Sequence, residues 1–120
     1  MKVTIRITTT FKKEAKPLLK KYNSLSKDLE KLEEQLLVNP YTGTSLGKSL
    51  YKIRLKISSK LKGKSGGARV ISFVETQIIG IAEQISKEEI LVNLISIYDK
   101  AEVSTISDKE LRELVKNLQQ

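Results

Sequence analysis

Leu50-Tyr51-Lys52-Ile53-Arg54-Leu55-Lys56-Ile57 alternates without a break. In an extended chain Tyr51, Ile53, Leu55 and Ile57 fall on one side, and Lys52, Arg54 and Lys56 on the other. The apolar side must be covered, so residues 50–57 are predicted to be a strand of a sheet with something packed against it. The other side carries three cations about 7 Å apart, a spacing at which like charges repel. A purely structural strand would intersperse carboxylates among them. The competing reading is that Glu75 or Glu34 neutralises this side in three dimensions.

Outward from this strand, Ser58 to Gly67 reads as a basic loop rich in Ser and Gly, and Arg69 to Glu75 as a second strand. Antiparallel pairing of the two follows from the short connection. Gly63-Lys64-Ser65 is not a phosphate-binding Walker loop, because the upstream glycine of that motif would fall on Ser58. Thr76 to Glu89 is ambiguous, with Gln77 to Ala82 able to extend a hairpin. Ile90 to Tyr98 is apolar on both faces apart from Asn93 and Ser96, which predicts a central buried strand. Ser107-Asp108-Lys109-Glu110 has capping-box spacing and opens a helix with Leu111, Leu114, Val115 and Leu118 on one face.

Upstream, Tyr41 to Gly47 reads as a loop. Lys2 to Thr8 alternates as a strand, and Thr10 is a candidate cap for a helix with Phe11, Ala15, Leu18, Leu19 and Tyr22 as its apolar stripe. Pro17 conflicts with a straight helix there. A second helix is predicted with Ser24 or Ser26 as cap, Leu25, Leu29, Leu32 and Leu36 on one face, and Asn39-Pro40 as its end. The expected fold is an α+β single domain over residues 1–120: a curved antiparallel sheet with two N-terminal helices and a C-terminal helix, the helices packed on one side.

Composition narrows the function. The chain has 120 residues, one domain's length, and a net charge of +8. From Gln35 to Val74 there is no Asp or Glu, and eight of the 22 cations lie there: Lys48, Lys52, Arg54, Lys56, Lys60, Lys62, Lys64 and Arg69. The other 14 cations are matched by the chain's 14 acids. A segregated excess of this kind suits a polyanionic partner; the alternative is a solvated face kept for solubility. Cysteine and histidine are absent, which excludes disulfides, thiolate chemistry, Ser-His-Asp triads and imidazole metal sites. Any proton transfer falls to Lys, Tyr, Glu, Asp or water. No apolar run is long enough to span a bilayer and no signal peptide is visible, so no membrane association is expected and the composition fits a cytoplasmic protein.

Three stretches in this order resemble one family. They are Leu-Tyr-Lys-Ile-Arg-Leu-Lys at 50–56, Gly-Lys-Ser-Gly-Gly-Ala-Arg-Val-Ile at 63–71 and Ile-Ser-Ile-Tyr-Asp-Lys-Ala-Glu at 95–102. Together with Phe11, Lys16 to Tyr22, Asn39-Pro40, Gly43 and Leu46, they resemble the RelE/ParE superfamily of bacterial type II toxin–antitoxin systems, in its RelE/HigB-like branch. The resemblance covers most of the chain except about residues 76–89. It implies an architecture like that of microbial ribonucleases and a toxin that cuts mRNA on the ribosome, held in check by a cognate antitoxin protein. The implied reaction needs no metal or small-molecule cofactor: a ribose 2′-OH attacks the adjacent phosphate and the 5′-oxygen leaves.

By position, the resemblance implies that Arg54, Lys56 and Arg69 are the basic active-site residues and that Lys100 supplies another cation. Lys52, Lys60, Lys62 and Lys64 would then bind RNA. Arginine suits phosphate clamping through its planar, permanently charged fork, and a lysine serves as base only where its pKa is depressed. Some family members carry a catalytic tyrosine just after the last strand, but 102–107 has none here. Tyr98 stands several residues earlier, either as its substitute or as a packing residue. Two other functions compete: a ParE-like, non-nuclease toxin that inhibits DNA gyrase, and a basic nucleic-acid-binding module without catalysis, which would need exposed aromatic residues.

Overall fold

In the computed structural model the described residues are 2–59, 67–79, 87–103 and 106–118. In chain order they form β1 (Lys2–Ile7), α1 (Thr9–Lys21), α2 (Leu25–Val38), β2 (Thr44–Gly47), β3 (Leu50–Leu55), β4 (Ala68–Ile79), β5 (Lys87–Asp99) and α3 (Asp108–Leu118). The strands build one open sheet in the order β1-β5-β4-β3-β2. β3 pairs antiparallel with β4, and β5 is flanked on both sides, as the alternation and the doubly apolar run predict. β4 and β5 continue past the expected ends, to Ile79 and back from Lys87, so the extended-hairpin reading of Gln77 onward holds as far as Ile79.

Three expectations are corrected. β1 pairs parallel with β5, so the sheet is mixed rather than wholly antiparallel. Parallel neighbours need a long crossover, and α1, α2 and the β2–β4 meander together supply it. Strand alternation carries no information about direction. The second correction concerns α3, which lies on the face opposite α1 and α2. Val70 belongs to the apolar cluster containing Phe11, Leu18, Leu32 and Leu36, whereas its neighbour Ile71 joins Leu50, Ile95, Tyr98 and Leu111. Successive strand residues point to opposite faces, so the helices sandwich the sheet. Third, 44–47 is strand rather than loop.

Local chemistry accounts for the helix ends. Thr8, not Thr10, caps α1: its side-chain oxygen accepts from the Phe11 amide at 3.2 Å. Pro17 sits inside α1 on its exposed side, where the carbonyl of Lys13 that it leaves without a donor can face water. Leu19 is 40% exposed and lies off the buried stripe. At α3 Ser107 caps the helix, with the Glu110 amide donating to Ser107 Oγ at 3.2 Å, and the Glu110 carboxylate reaches back to accept from the Ser107 hydroxyl at 3.1 Å. A bulge adds one residue to β5 opposite Ile71/Ser72 and resets the alternation, so that Leu94 and Ile97, three apart, lie in one cluster and Ile95 and Tyr98 in the other.

Candidate nucleic-acid site on the sheet

The register brings the cations of β3 and β4 together. Arg54 is directly opposite Arg69, and Arg69 directly opposite Tyr98, so the three form one row across β3, β4 and β5. Side chains opposed in this way have Cβ atoms about 5 Å apart. The adjoining row on this face holds Lys52, Ile71 and Ser96. The face is the one that α3 partly covers, because Ile71 and Tyr98 pack with Leu111. Lys56 follows the end of β3, two positions from Arg54, and Lys100 follows β5, two positions from Tyr98. Arg54, Arg69 and Tyr98 therefore share one face, and Lys56 and Lys100 follow their strands at the same end of the sheet. Lys52 lies one row further in. Lys60, Lys62 and Lys64 lie outside the described residues.

The environments within the row differ. Arg54 and Lys56 are exposed, while Lys52 and Lys100 are half-buried. Arg69 is only 7% exposed and donates from Nη1 to the carbonyl of Ala68 at 3.2 Å. Tyr98 is 8% exposed, and its hydroxyl has no hydrogen-bond partner among the described residues. Burial pushes the Tyr98 phenol above its ordinary value, with the positive charge of Arg69 pulling weakly the other way. Tyr98 is therefore a packing residue that also keeps an unused proton donor within the cationic row.

Like charges directly opposite across two strands destabilise a sheet, so the Arg54–Arg69 pair asks for compensation. Glu75 does not provide it, since its carboxylate accepts from Asn93 Nδ2 at 2.8 Å, well along β4 from Arg69. Among the described residues no carboxylate forms an ion pair with Lys52, Arg54 or Lys56; the salt bridges there join Lys21 to Asp99 and Glu102.

Two buried carboxylates, not singled out by the sequence, frame the site. Asp99, at the end of β5, accepts from the Tyr22 hydroxyl at 2.7 Å and from the Ala101 amide at 3.0 Å. It ties the turn bearing Lys100 to α1, while the Lys100 amide bonds to the carbonyl of Gly67 at 3.1 Å. Asp28, in α2, accepts from the Ser58 hydroxyl at 2.6 Å, the Ser58 amide at 3.0 Å and the Ser24 hydroxyl at 2.9 Å. It clips the chain just beyond Lys56 to the helix layer. Gly67 has φ +83°, and a Cβ there would collide with the carbonyl oxygen of Leu55. Only glycine lets the chain enter β4 close enough to set Arg69 opposite Arg54.

No protein-family model and no curated protein matches this chain.

Proposed function

We propose that the chain is the toxin of a type II toxin–antitoxin pair, a cytoplasmic endoribonuclease that cuts mRNA on the ribosome by metal-independent attack of a 2′-OH. The observation that carries this reading is the Arg54–Arg69–Tyr98 row, flanked by Lys56 and Lys100 and lacking a carboxylate partner for Arg54 or Lys56 among the described residues. The resemblance of 50–56, 63–71 and 95–102 to the RelE/HigB-like branch supports the same site.

In this mechanism the RNA backbone lies across the row. A bond forms from the ribose 2′-oxygen to phosphorus as the bond from phosphorus to the 5′-oxygen breaks, leaving a 2′,3′-cyclic phosphate and a 5′-hydroxyl. Arg54 and Arg69 hold the phosphate oxygens, whose negative charge grows in the transition state. Lys56 or Lys100 would receive the 2′-OH proton in its neutral form, and Tyr98 would donate one to the departing 5′-oxygen once α3 moves off its buried hydroxyl. A phenol is protonated at neutral pH at its ordinary pKa of about 10, so the proton is there to give. A cognate antitoxin would neutralise the toxin by laying carboxylates on Lys52, Arg54 and Lys56 or by displacing α3.

The test is single-turnover cleavage of mRNA on programmed ribosomes with the protein in excess. Arg69→Ala is expected to lower the rate about a hundredfold, on the order of 3 kcal/mol, while the variant stays folded. A wild-type rate from folded Arg69→Ala would remove Arg69 from the active site. Inhibition of DNA gyrase by a wild-type protein that cleaves no RNA would move the chain to the ParE-like reading.

A further inference from the structure

The balance of 14 cations and 14 acids outside the central segment conceals a second segregation. In α1 the only acid is Glu14, whose carboxylate accepts from the Ser96 hydroxyl at 2.8 Å. Against it stand Lys12, Lys13, Lys16, Lys20 and Lys21. Lys12, Lys16 and Lys20 recur every fourth residue, so they form one ridge along the helix, about 12 Å from end to end. Lys13 lies beside them. At 100° per residue Lys13 and Lys20 lie opposite the buried stripe of Phe11, Ala15 and Leu18, with Lys16 next to them and Lys12 on the flank of the helix. All four lysines are exposed, and none has an ion-pair partner among the described residues. Like charges four apart on a helix repel. α2, in the same layer, shows the ordinary arrangement, with Lys27 and Lys31 interspersed among Glu30, Glu33 and Glu34.

We infer that the Lys12–Lys16–Lys20 ridge of α1 is a second RNA-binding surface that grips backbone phosphates away from the reacting one. The inference takes its choice of polymer from the proposed RNA-directed function but does not depend on cleavage. Three observations favour RNA over an acidic protein. Lysine is depleted at protein–protein interfaces, which anchor on aromatic residues and arginine, and the ridge contains neither. Its charges are compact ammonium groups on flexible stems, suited to phosphate contacts that carry no sequence information. Its direction also fits. The C-terminal end of α1 abuts the turn after β5, where Lys21 lies 3.3 Å from Glu102 and 3.9 Å from Asp99, the residue before Lys100. A strand leaving the Arg54–Arg69 row past Lys100 would round this end of the sheet to meet the ridge on the other side.

The experiment measures anisotropy of a labelled, unstructured 20-nucleotide RNA over a series of salt concentrations. The background is Arg54→Gln/Lys56→Gln, which weakens the first site through its two exposed cations. In that background Lys12→Glu/Lys16→Glu is compared with Lys27→Glu/Lys31→Glu on α2, which changes the net charge equally. The ridge variant is expected to lose at least tenfold in affinity and to lower the log–log salt slope by about 1.4, two phosphate contacts on a single strand. The α2 variant is expected to stay within threefold. Equal losses from both variants, or none from either, would make the ridge a solvated face and overturn the inference. Ridge-dependent binding of polyglutamate without ridge-dependent binding of RNA would overturn it in favour of a protein partner. If the wild type cleaves no RNA but the ridge-dependent slope persists, the nuclease reading fails and this one stands. Circular dichroism of each variant confirms that α1 is intact.

Discussion

Tyr98 packs against Leu111 with its hydroxyl buried and without a hydrogen-bond partner among the described residues, a costly arrangement unless the hydroxyl is used. Stability and activity therefore oppose each other at this residue. Tyr98→Phe removes a buried polar atom and changes little else, so we predict that it raises unfolding stability by about 1 kcal/mol. The same change removes the proposed proton donor and is expected to slow cleavage at least a hundredfold. A denaturant titration and single-turnover kinetics on one preparation check both halves. Loss of stability together with activity would make Tyr98 only a packing residue. Its pH behaviour follows from burial, which raises the folded-state pKa. The stability from keeping the phenol neutral is fully present below its unfolded value of about 10 and is lost as pH rises through the folded one. Tyr98→Phe lacks that alkaline decline. At Arg69 the sequence offered only a cation after two glycines; its place opposite both Arg54 and Tyr98 is a matter of register, fixed when β3, β4 and β5 pair.

Among the elements, those with a periodic signal were legible and those held by long-range contacts were not. β3 announces itself through alternation and α3 through its capping-box spacing. β2 does not, because the two residues joining it to β3, Lys48 and Ser49, carry no turn signature although both adopt positive φ, 54° and 66°. Such a two-residue hairpin ordinarily takes Asn-Gly. We predict that Lys48→Asn/Ser49→Gly raises stability by about 1 kcal/mol in thermal or urea unfolding, by relieving left-handed strain; an unchanged midpoint would mean the turn is unstrained. The Asp28 clip was equally invisible, since its partner Ser58 is 30 residues away. Burial pushes the Asp28 carboxyl up, but donation from the Ser58 hydroxyl and amide and the Ser24 hydroxyl outweighs it, leaving the pKa below its ordinary 3.8. The clip's stabilisation is thus present above about pH 4 and is lost as pH falls through the lower folded value. Asp28→Asn is expected to cost about 1–3 kcal/mol at pH 7. That gap should narrow at strongly acid pH, where the wild type also loses its carboxylate; a gap independent of pH would show that the charge is not what holds Ser58.

At the scale of the whole molecule, the two faces of the sheet are unequally covered. The cluster under α1 and α2 draws buried side chains from both helices, Phe11, Ala15 and Leu18 from α1 and Leu25, Leu32 and Leu36 from α2. The cluster under α3 takes one buried residue from that helix, Leu111, with Leu114, Val115 and Leu118 only partly covered. Clefts of about 310 and 480 Å³ run alongside α3, one lined by Thr9, Thr10 and Asn117, the other by Glu14, Ser96 and Glu113. A helix seated on so little buried surface should open without unfolding the sheet. In hydrogen exchange followed by mass spectrometry, the amides of Asp108–Leu118 are therefore expected to exchange well before those of β4 and β5, which pair with each other over most of their length. Leu111→Ala should speed exchange in α3 further while leaving the sheet nearly unchanged, because the contact it removes is formed only when the helix is seated. Exchange of α3 and β4–β5 as one cooperative unit, in both proteins, would sink the prediction. If α3 does open alone, a partner that displaces it must supply only that local opening energy rather than the whole stability of the fold. It then takes the place of α3 over Tyr98 and the arginine row beside it and shuts RNA out, so the uneven covering of the sheet makes this face the one at which activity is most readily controlled.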